Sequence, residues 1–186
     1  TEEVVLAEND LFPTGSIELE SIKAVGQMSE ERILSFATSL TTAAGLELGR
    51  TLDAAARQHA IVPLSAQDVR AVEGGLTGHV GSSYVVLGTG ALMVNMGITI
   101  PAEGDATTMY LLADNQLVGI IALRYMPTKN TYKAMRLMRR MHMNAVIAAR
   151  DFNVSPAMVE EEFDLRRGFA DQPDPAGVRR LLDPSY

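Results

Sequence analysis

Two carboxylates follow the first apolar run of the chain. Residues 4–6 (Val-Val-Leu) lead through Ala7 into Glu8 and Asp10. Buried parallel strands have this texture, and α/β enzymes place reactive groups at the carboxyl ends of such strands. A carboxylate in that place can act as a nucleophile or as a general acid–base group. The segment VVLAENDLFPTG therefore predicts a strand end at which a catalytic carboxylate either stands or has been lost.

The composition limits the classes of protein to which the chain could belong. Its 186 residues are 47% hydrophobic and 21% charged, which predicts a folded chain with a sizeable core. A net charge of -7 argues against a nucleic-acid partner, because such surfaces are normally basic. The absence of cysteine excludes disulfides and thiolate chemistry. No apolar run reaches the roughly 18 residues of a membrane span, so we expect a soluble chain or a soluble part of a membrane protein.

The elements that must position these carboxylates alternate along the chain. Strand patterns at 3–7 and 145–149 predict two strands of one parallel α/β sheet, and a helix at 131–141 lies between them. The remaining predicted elements are an extended segment at 15–25, helices near 29–40 and 46–59, short strands within 67–88, a helical turn at 91–95, a hairpin at 109–123, a helix that starts at 155–156 and a short polar helix at 174–182. We therefore predict an α/β domain that is interrupted by an inserted lobe.

Short motifs in a fixed order add a resemblance to this outline. VVLAENDLFPTG matches VVFDKTGTLTEG without a gap, and residues 73–78 (EGGLTG) match GxGxxG with Glu73 at the first glycine. Residues 87–89 (LGT), 148–151 (AARD) and 173–176 (PDPA) stand where VGN, LTGD and P-x-x-K would follow. This order resembles the cytoplasmic headpiece of P-type cation-transporting ATPases, especially those of the heavy-metal branch.

The resemblance implies a fold, domain bounds and cofactors. It implies a partial haloacid-dehalogenase-like Rossmannoid domain of α/β class, into which a nucleotide-binding lobe with an antiparallel sheet and flanking helices is inserted. The expected divisions are a first strand at 1–15, the lobe at 16–117 and the rest of the phosphorylation-like domain at 118–186. ATP and Mg²⁺ are the implied cofactors. The implied setting is the cytoplasmic side of a membrane, with the parent protein's membrane domain as partner.

In the same alignment, most of the residues that the implied chemistry needs are replaced. The family forms an aspartyl-phosphate, yet Ala7 stands at the nucleophile position and a methyl group cannot attack phosphorus. Ala149 and Ala176 replace the threonine of TGD and the lysine of P-x-x-K, which would hold phosphoryl oxygens and neutralise phosphate charge. The positions that keep the family's residue types are Asp151, Gly75, Gly78 and Gly88.

These losses favour one function over two alternatives. The favoured interpretation is a catalytically degenerate headpiece with a binding or regulatory role. The first alternative is a functional metal-transporting ATPase headpiece whose nucleophile has been misassigned or mutated, with Asp10 as the weak candidate. The second is a free-standing haloacid-dehalogenase-like protein with a cap insertion. For Asp10 we favour a turn or cap carboxylate over a nucleophile. Glu8 is nearer to the nucleophile position, but its longer side chain would displace the reacting oxygen, and a misplacement of about an ångström can cost a hundredfold in rate.

Other residues have alternatives that the sequence leaves open. A nucleotide could bind beside four residues of the lobe: Glu73, Gly75, Gly78 and Gly88. Alternatively, the glycines could form turns and bulges between short strands. The three histidines and the methionines from 135 to 143 predict no metal site.

Arg150 and the helix at 131–141 also leave alternatives. Arg150 could fill the vacated site by pairing with Glu8 or Asp151. The basic face of the 131–141 helix could meet a membrane or a partner, remain solvated, or pair with the glutamates at 160–162.

Overall fold

The computed structural model describes residues 2–101 and 106–172, which divide into two compact units. The split unit comprises Thr1–Ile17 together with Tyr125–Tyr186, and the inserted lobe comprises Glu18–Arg124. The chain thus leaves the split unit after its first strand and returns to it more than a hundred residues later. This is the interrupted α/β arrangement that the sequence predicts.

The split unit contains a three-stranded sheet in the order β1-β8-β9. Strand β1 (Glu3–Ala7) runs parallel to β8 (Asn144–Ala148), with Ala7 opposite Ala148. Strand β9 (Ala170–Asp171) adds to the other side of β8, also in parallel. Helices α1 (Glu8–Leu11), α5 (Lys129–Arg140) and α6 (Pro156–Glu162) complete the described part of this unit. The carboxyl ends of β1 and β8 therefore lie side by side.

Aromatic packing and caps fix the helices of the split unit. The ring of Phe12 lies 4.9 Å from that of Tyr125 and 6.0 Å from that of Phe163, measured between centroids. Thr128 caps α5, because its side chain accepts a hydrogen bond from the N–H of Thr131 at 3.2 Å. Ser155 caps α6 in the same way, with Pro156 at the first helical position.

The inserted lobe is a six-stranded sheet in the order β2-β7-β6-β5-β4-β3. Its strands are β2 (Ile17–Ala24), β3 (Ala66–Val72), β4 (Gly75–Val80), β5 (Ser83–Thr89), β6 (Thr108–Ala113) and β7 (Gln116–Tyr125). Strands β3 to β7 pair with their neighbours in antiparallel register. The β6–β7 hairpin turns at Asp114 and Asn115, whose φ angles of 51° and 66° are those that Asp and Asn tolerate.

Three helices accompany this sheet: α2 (Glu30–Ala43), α3 (Glu47–Gln58) and α4 (Gly90–Asn95). Ser29 caps α2, because its side chain accepts a hydrogen bond from the N–H of Arg32 at 3.2 Å. Helix α2 buries one continuous stretch, residues 33–41, between the sheet and α3. Gly49 permits the close approach of α3, since a Cβ there would lie 2.9 Å from the main chain at Thr41.

The expected fold class, an α/β unit with an inserted antiparallel sheet flanked by helices, is confirmed. The two units divide at 17/18 and 124/125, later than the expected 15/16 and 117/118, because β7 continues without interruption to Tyr125. On α5, Tyr132 is 37% exposed and its hydroxyl donates a hydrogen bond to Glu162. The polar helix expected at 174–182 lies outside the described residues.

Candidate functional site

Asp10 acts as a cap at the end of β1. Its Oδ2 accepts a hydrogen bond from the backbone N–H of Ala7 at 2.8 Å, which ties the first turn of α1 back to the strand. The side chain is exposed, and this bond directs one of its carboxylate oxygens at the main chain. Of the two interpretations of Asp10, the geometry therefore agrees with the cap carboxylate.

Glu8 turns in the opposite direction, toward the end of β8. Its Oε1 accepts a hydrogen bond from the backbone N–H of Arg150 at 3.0 Å. Its carboxyl group also shares a hydrogen bond with the carboxyl group of Asp151, which is only 3% exposed. Burial, and then the neighbouring charge of Asp151, raise the pKa of Glu8 to about 7. We call these two residues the carboxyl pair.

The carboxyl pair occupies the place where the resemblance puts the phosphorylation site. Ala7 lies at the end of β1, immediately before Glu8, and Ala149 is buried immediately after β8. Neither alanine brings a nucleophile or a hydroxyl group to this edge of the sheet. Asp151 also lies at this edge of the sheet. The sequence analysis singled out Glu8 and Asp151 separately, but it did not predict the contact between them. Ala176 lies outside the described residues.

The sequence left open a pairing of Arg150 with Glu8 or Asp151. The structure leaves Arg150 exposed at the end of β8. The residue does contact Glu8, but through its backbone N–H. A long cationic side chain at an exposed turn extends into water, where its charge is solvated, rather than entering a partly desolvated cleft.

The glycines of the inserted lobe are explained by packing within the lobe. Gly75 and Gly88 face each other across β4 and β5. A Cβ at Gly88 would lie 2.6 Å from the Cδ2 atom of Leu92, and one at Gly75 would lie 2.7 Å from the same atom. Leu92, on α4, thus covers both glycines. Sequence reasoning missed this residue, although the hydroxyl at Thr89 that caps α4 was a readable signal for the helix.

Gly78 and Glu73 complete the predicted nucleotide set. A Cβ at Gly78 would lie 2.7 Å from Cδ2 of Leu40 and 3.1 Å from Cγ2 of Val69, so its space is also filled by side chains of the lobe. Glu73 is exposed at the turn between β3 and β4, next to Gly74 with its φ of +85°. Gly75 and Gly78 lie on β4 and Gly88 lies on the neighbouring β5, but the glycines do not outline an open cradle.

Both implied cofactors can be tested against these residues. ATP does not fit the glycines, because Leu92, Leu40 and main-chain atoms occupy the space that a Cβ would fill. Within the described residues, no group of three or more histidine, aspartate or glutamate side chains is placed to hold a metal ion such as Mg²⁺. The rings of His79 and Tyr84 are tilted against each other with their centroids 5.4 Å apart, and Nδ1 of His79 lies 4.0 Å from Oδ2 of Asp68.

The fold of the chain is similar to that of catalytic domains of P-type ATPases. Over 97% of its length the chain superposes on the catalytic domain of the CPx-ATPase CopB-B, with a TM-score of 0.62, 9% identity and 64% of that chain covered. A zinc-transporting PIB-type ATPase in the E2.Pi state matches 92% of this chain and 29% of its own, with a TM-score of 0.51 and 17% identity.

A sequence relative gives the same class. The chain is 23% identical over 190 residues to a copper-transporting P-type ATPase of Rhizobium leguminosarum bv. viciae. This alignment covers 97% of the chain but only 22% of the relative, so the chain spans about a fifth of that protein's length. No protein-family model matches the chain. The expected resemblance to a P-type ATPase headpiece is thus confirmed at the level of the fold. No helix within the described ranges has the length and apolar character to cross a membrane.

Proposed function

We propose that this chain is a catalytically degenerate headpiece of a P-type ATPase-like membrane protein, which acts by binding or regulation and forms no aspartyl-phosphate. Its setting in this proposal is the cytoplasmic side of the membrane that holds the parent protein. The observation that carries the proposal is the carboxyl pair: where the family has a nucleophile, Ala7 is followed by Glu8 hydrogen-bonded to Arg150 and Asp151.

The carboxyl pair supports loss of phosphorylation for an electrostatic reason. A phosphoryl group arrives with negative charge and needs hydrogen-bond donors or cations around it. Here two acids stand at the edge of the sheet, one of them buried, and the backbone N–H of Arg150 is already bonded to Glu8. Placing a phosphate beside ionised Glu8 and Asp151 would bring like charges together without a cation.

The inserted lobe supports weak or absent nucleotide binding in the same proposal. Leu92 lies over Gly75 and Gly88, so an adenine or ribose could not reach the backbone there unless α4 moved. The alternative, a functional metal-transporting headpiece, requires Asp10 as nucleophile. The hydrogen bond from Ala7 N–H to Asp10 and the exposure of Asp10 argue against that role.

Two measurements on the 186-residue chain test the proposal. Calorimetric titration with Mg²⁺-ATP should show no saturable binding in the micromolar range typical of dedicated nucleotide sites. Incubation with γ-labelled ATP should leave no acid-stable label, and a P-type headpiece that carries Asp at the nucleophile position is the positive control. Stoichiometric labelling of this chain would overturn the proposal, whereas tight ATP binding without labelling would overturn only its nucleotide part.

A further inference from the structure

Helix α5 carries a concentrated positive charge in an acidic protein. Five of the sixteen Lys and Arg residues lie between Lys129 and Arg140, and residues 126–149 contain no acidic residue, although the chain as a whole has a net charge of -7. Four of these cations lie in one row along the helix, because they are separated by four, three and four residues: Lys129, Lys133, Arg136 and Arg140. We call these four residues the basic row.

The basic row lies on the side of α5 opposite its buried residues. Thr131 and Met135 are buried on the opposite side of α5, whereas all four cations are exposed. Two large apolar side chains accompany the row: Leu137 is 56% exposed and Met141, at the end of the helix, is 59% exposed. The outer side of α5 thus combines cations with exposed apolar groups, instead of the purely polar surface that a solvated helix presents.

Glu160 and Glu162 of α6 bond to groups outside the basic row. Glu160 accepts hydrogen bonds from the N–H groups of Gly168 and Ala170 through Oε2, and Glu162 accepts one from the hydroxyl of Tyr132. Within the described part of the chain, the ion pairs of 4.0 Å or less involve Arg50, Arg57, His79 and Arg124, but no residue of the basic row. The pairing with the glutamates at 160–162 that the sequence left open is therefore not made by Glu160 or Glu162.

We propose that the outer side of α5 is a docking surface for an anionic lipid bilayer. Lipid headgroups would neutralise the basic row, while Leu137 and Met141 would enter the boundary between headgroups and acyl chains, as the apolar side of an interfacial helix does. An acidic protein could match the charge, but it would leave the two apolar side chains without a partner. This inference rests on the proposed function in one respect, which is that the parent protein holds the chain beside a membrane.

Flotation with vesicles tests this inference separately from nucleotide chemistry. The full chain is mixed, at low ionic strength, with vesicles of equal parts phosphatidylserine and phosphatidylcholine or of phosphatidylcholine alone. We expect it to float with the anionic vesicles only, and to be released by salt, which screens charges over about 10 Å at 0.1 M. Failure to float with anionic vesicles overturns the inference and leaves the proposed loss of phosphorylation untouched.

A charge-matched pair of variants assigns the binding to α5. The test variant neutralises the basic row with K129Q, K133Q, R136Q and R140Q. The control variant removes the same charge from exposed residues of the inserted lobe with K23Q, R50Q, R57Q and R70Q. At about fivefold in affinity per surface cation, the test variant should lose at least about tenfold, and the control much less. Equal losses in both variants would contradict a docking surface on α5.

A second variant pair separates a bilayer from an acidic protein. Replacing the apolar side chains in L137S and M141S should weaken flotation severalfold and leave binding to soluble polyglutamate unchanged. Circular dichroism checks that α5 still folds in every variant. Binding to polyglutamate combined with no flotation would assign the surface to an acidic protein and overturn the lipid assignment.

Discussion

Glu8 and Asp151 share a hydrogen bond between their carboxyl groups at the adjacent ends of β1 and β8. The bond requires one of the two carboxyl groups to carry a proton, and burial together with the charge of Asp151 raises the pKa of Glu8 to about 7. The raised pKa of Glu8 should make the stability of the split unit depend on pH, and this dependence can be measured.

Stability should fall as the pH rises through the pKa of Glu8. Because that pKa is raised from 4.5 to about 7, the folded split unit binds the proton more tightly than the unfolded chain does. The stabilisation that comes from this tighter proton binding is fully present below about pH 4.5 and is lost as the pH passes 7. Glu8→Gln keeps an oxygen for the Arg150 N–H and an N–H for Asp151 without ionising. It should therefore be about 1–2 kcal/mol more stable than the parent at pH 8, after discounting for partial exposure, and about equal at pH 5.

Urea unfolding at a series of pH values measures this difference. Glu3→Gln is the matched control, since it removes an exposed carboxylate from the same strand. The control should follow the parent at every pH. If Glu8→Gln is less stable than the parent at pH 8, the carboxyl pair does not bind a shared proton in solution.

Asp10 should matter for stability through its cap alone. Asp10→Ala removes the acceptor for the Ala7 N–H and should cost about 1 kcal/mol, whereas Asp10→Asn keeps an oxygen in place and should cost less. The neighbouring substitution Asn9→Ala, at an exposed position, is the control for loss of a polar side chain. Denaturant midpoints at pH 7 give the three values. Equal effects of Asp10→Ala and Asn9→Ala would contradict the cap.

Alanine should be poorly tolerated at Gly75. Its Cβ would collide with the carbonyl oxygen of Leu87 and lie 2.9 Å from the Cα of Gly88, and main chain cannot move aside as a side-chain tip can. We expect Gly75→Ala to cost about 1–3 kcal/mol. Gly26→Ala is the control, because its Cβ would meet nothing within 4 Å and its φ is not positive. Thermal unfolding compares the two, and a neutral Gly75→Ala would show that β4 and β5 are less closely packed.

The pair formed by Tyr125 and Asn153 should stabilise the split unit. Asn153 donates from Nδ2 to the hydroxyl oxygen of Tyr125 at 2.8 Å, and both residues are buried. Tyr125→Phe leaves that amide donor without its acceptor and should cost about 1–3 kcal/mol. Tyr84→Phe in the inserted lobe is the control for removal of a hydroxyl. The denaturation midpoint of each variant tests this, and a smaller loss for Tyr125→Phe than for Tyr84→Phe would contradict it.

Local signals in the sequence predicted most elements of the fold. The caps at Ser29 and Ser155 and the turn at Asp114 and Asn115 depend on neighbouring residues alone, and each lies where it was expected. Helix α1 was missed because four residues carry no periodicity, and its cap by Asp10 becomes visible only in three dimensions. Strand β9 was missed for a related reason. A strand of two residues shows no alternating pattern, and the hydrogen bond from the N–H of Ala170 to Glu160 cannot be read from the sequence.

The candidate site was predictable by position but not by contact. The gapless match placed Ala7 at the nucleophile position, and that is where β1 ends. The direction in which Glu8 turns depends on the Arg150 N–H, which lies 142 residues away in the sequence. In the same way, the role of Leu92 over the glycines depends on the docking of α4 against β5, which no spacing in the sequence reports.

The central claim is the absence of phosphorylation chemistry, and mapped labelling with γ-labelled ATP tests it most directly. The 186-residue chain and its Asp10→Asn variant would be incubated with Mg²⁺ and labelled ATP, quenched in acid and digested for peptide mapping. We predict no acid-stable phosphoryl group in any peptide of either protein, under conditions that label a headpiece with Asp at the nucleophile position. Label in the peptide that contains residues 4–15, lost in Asp10→Asn, would contradict the account and make Asp10 the nucleophile.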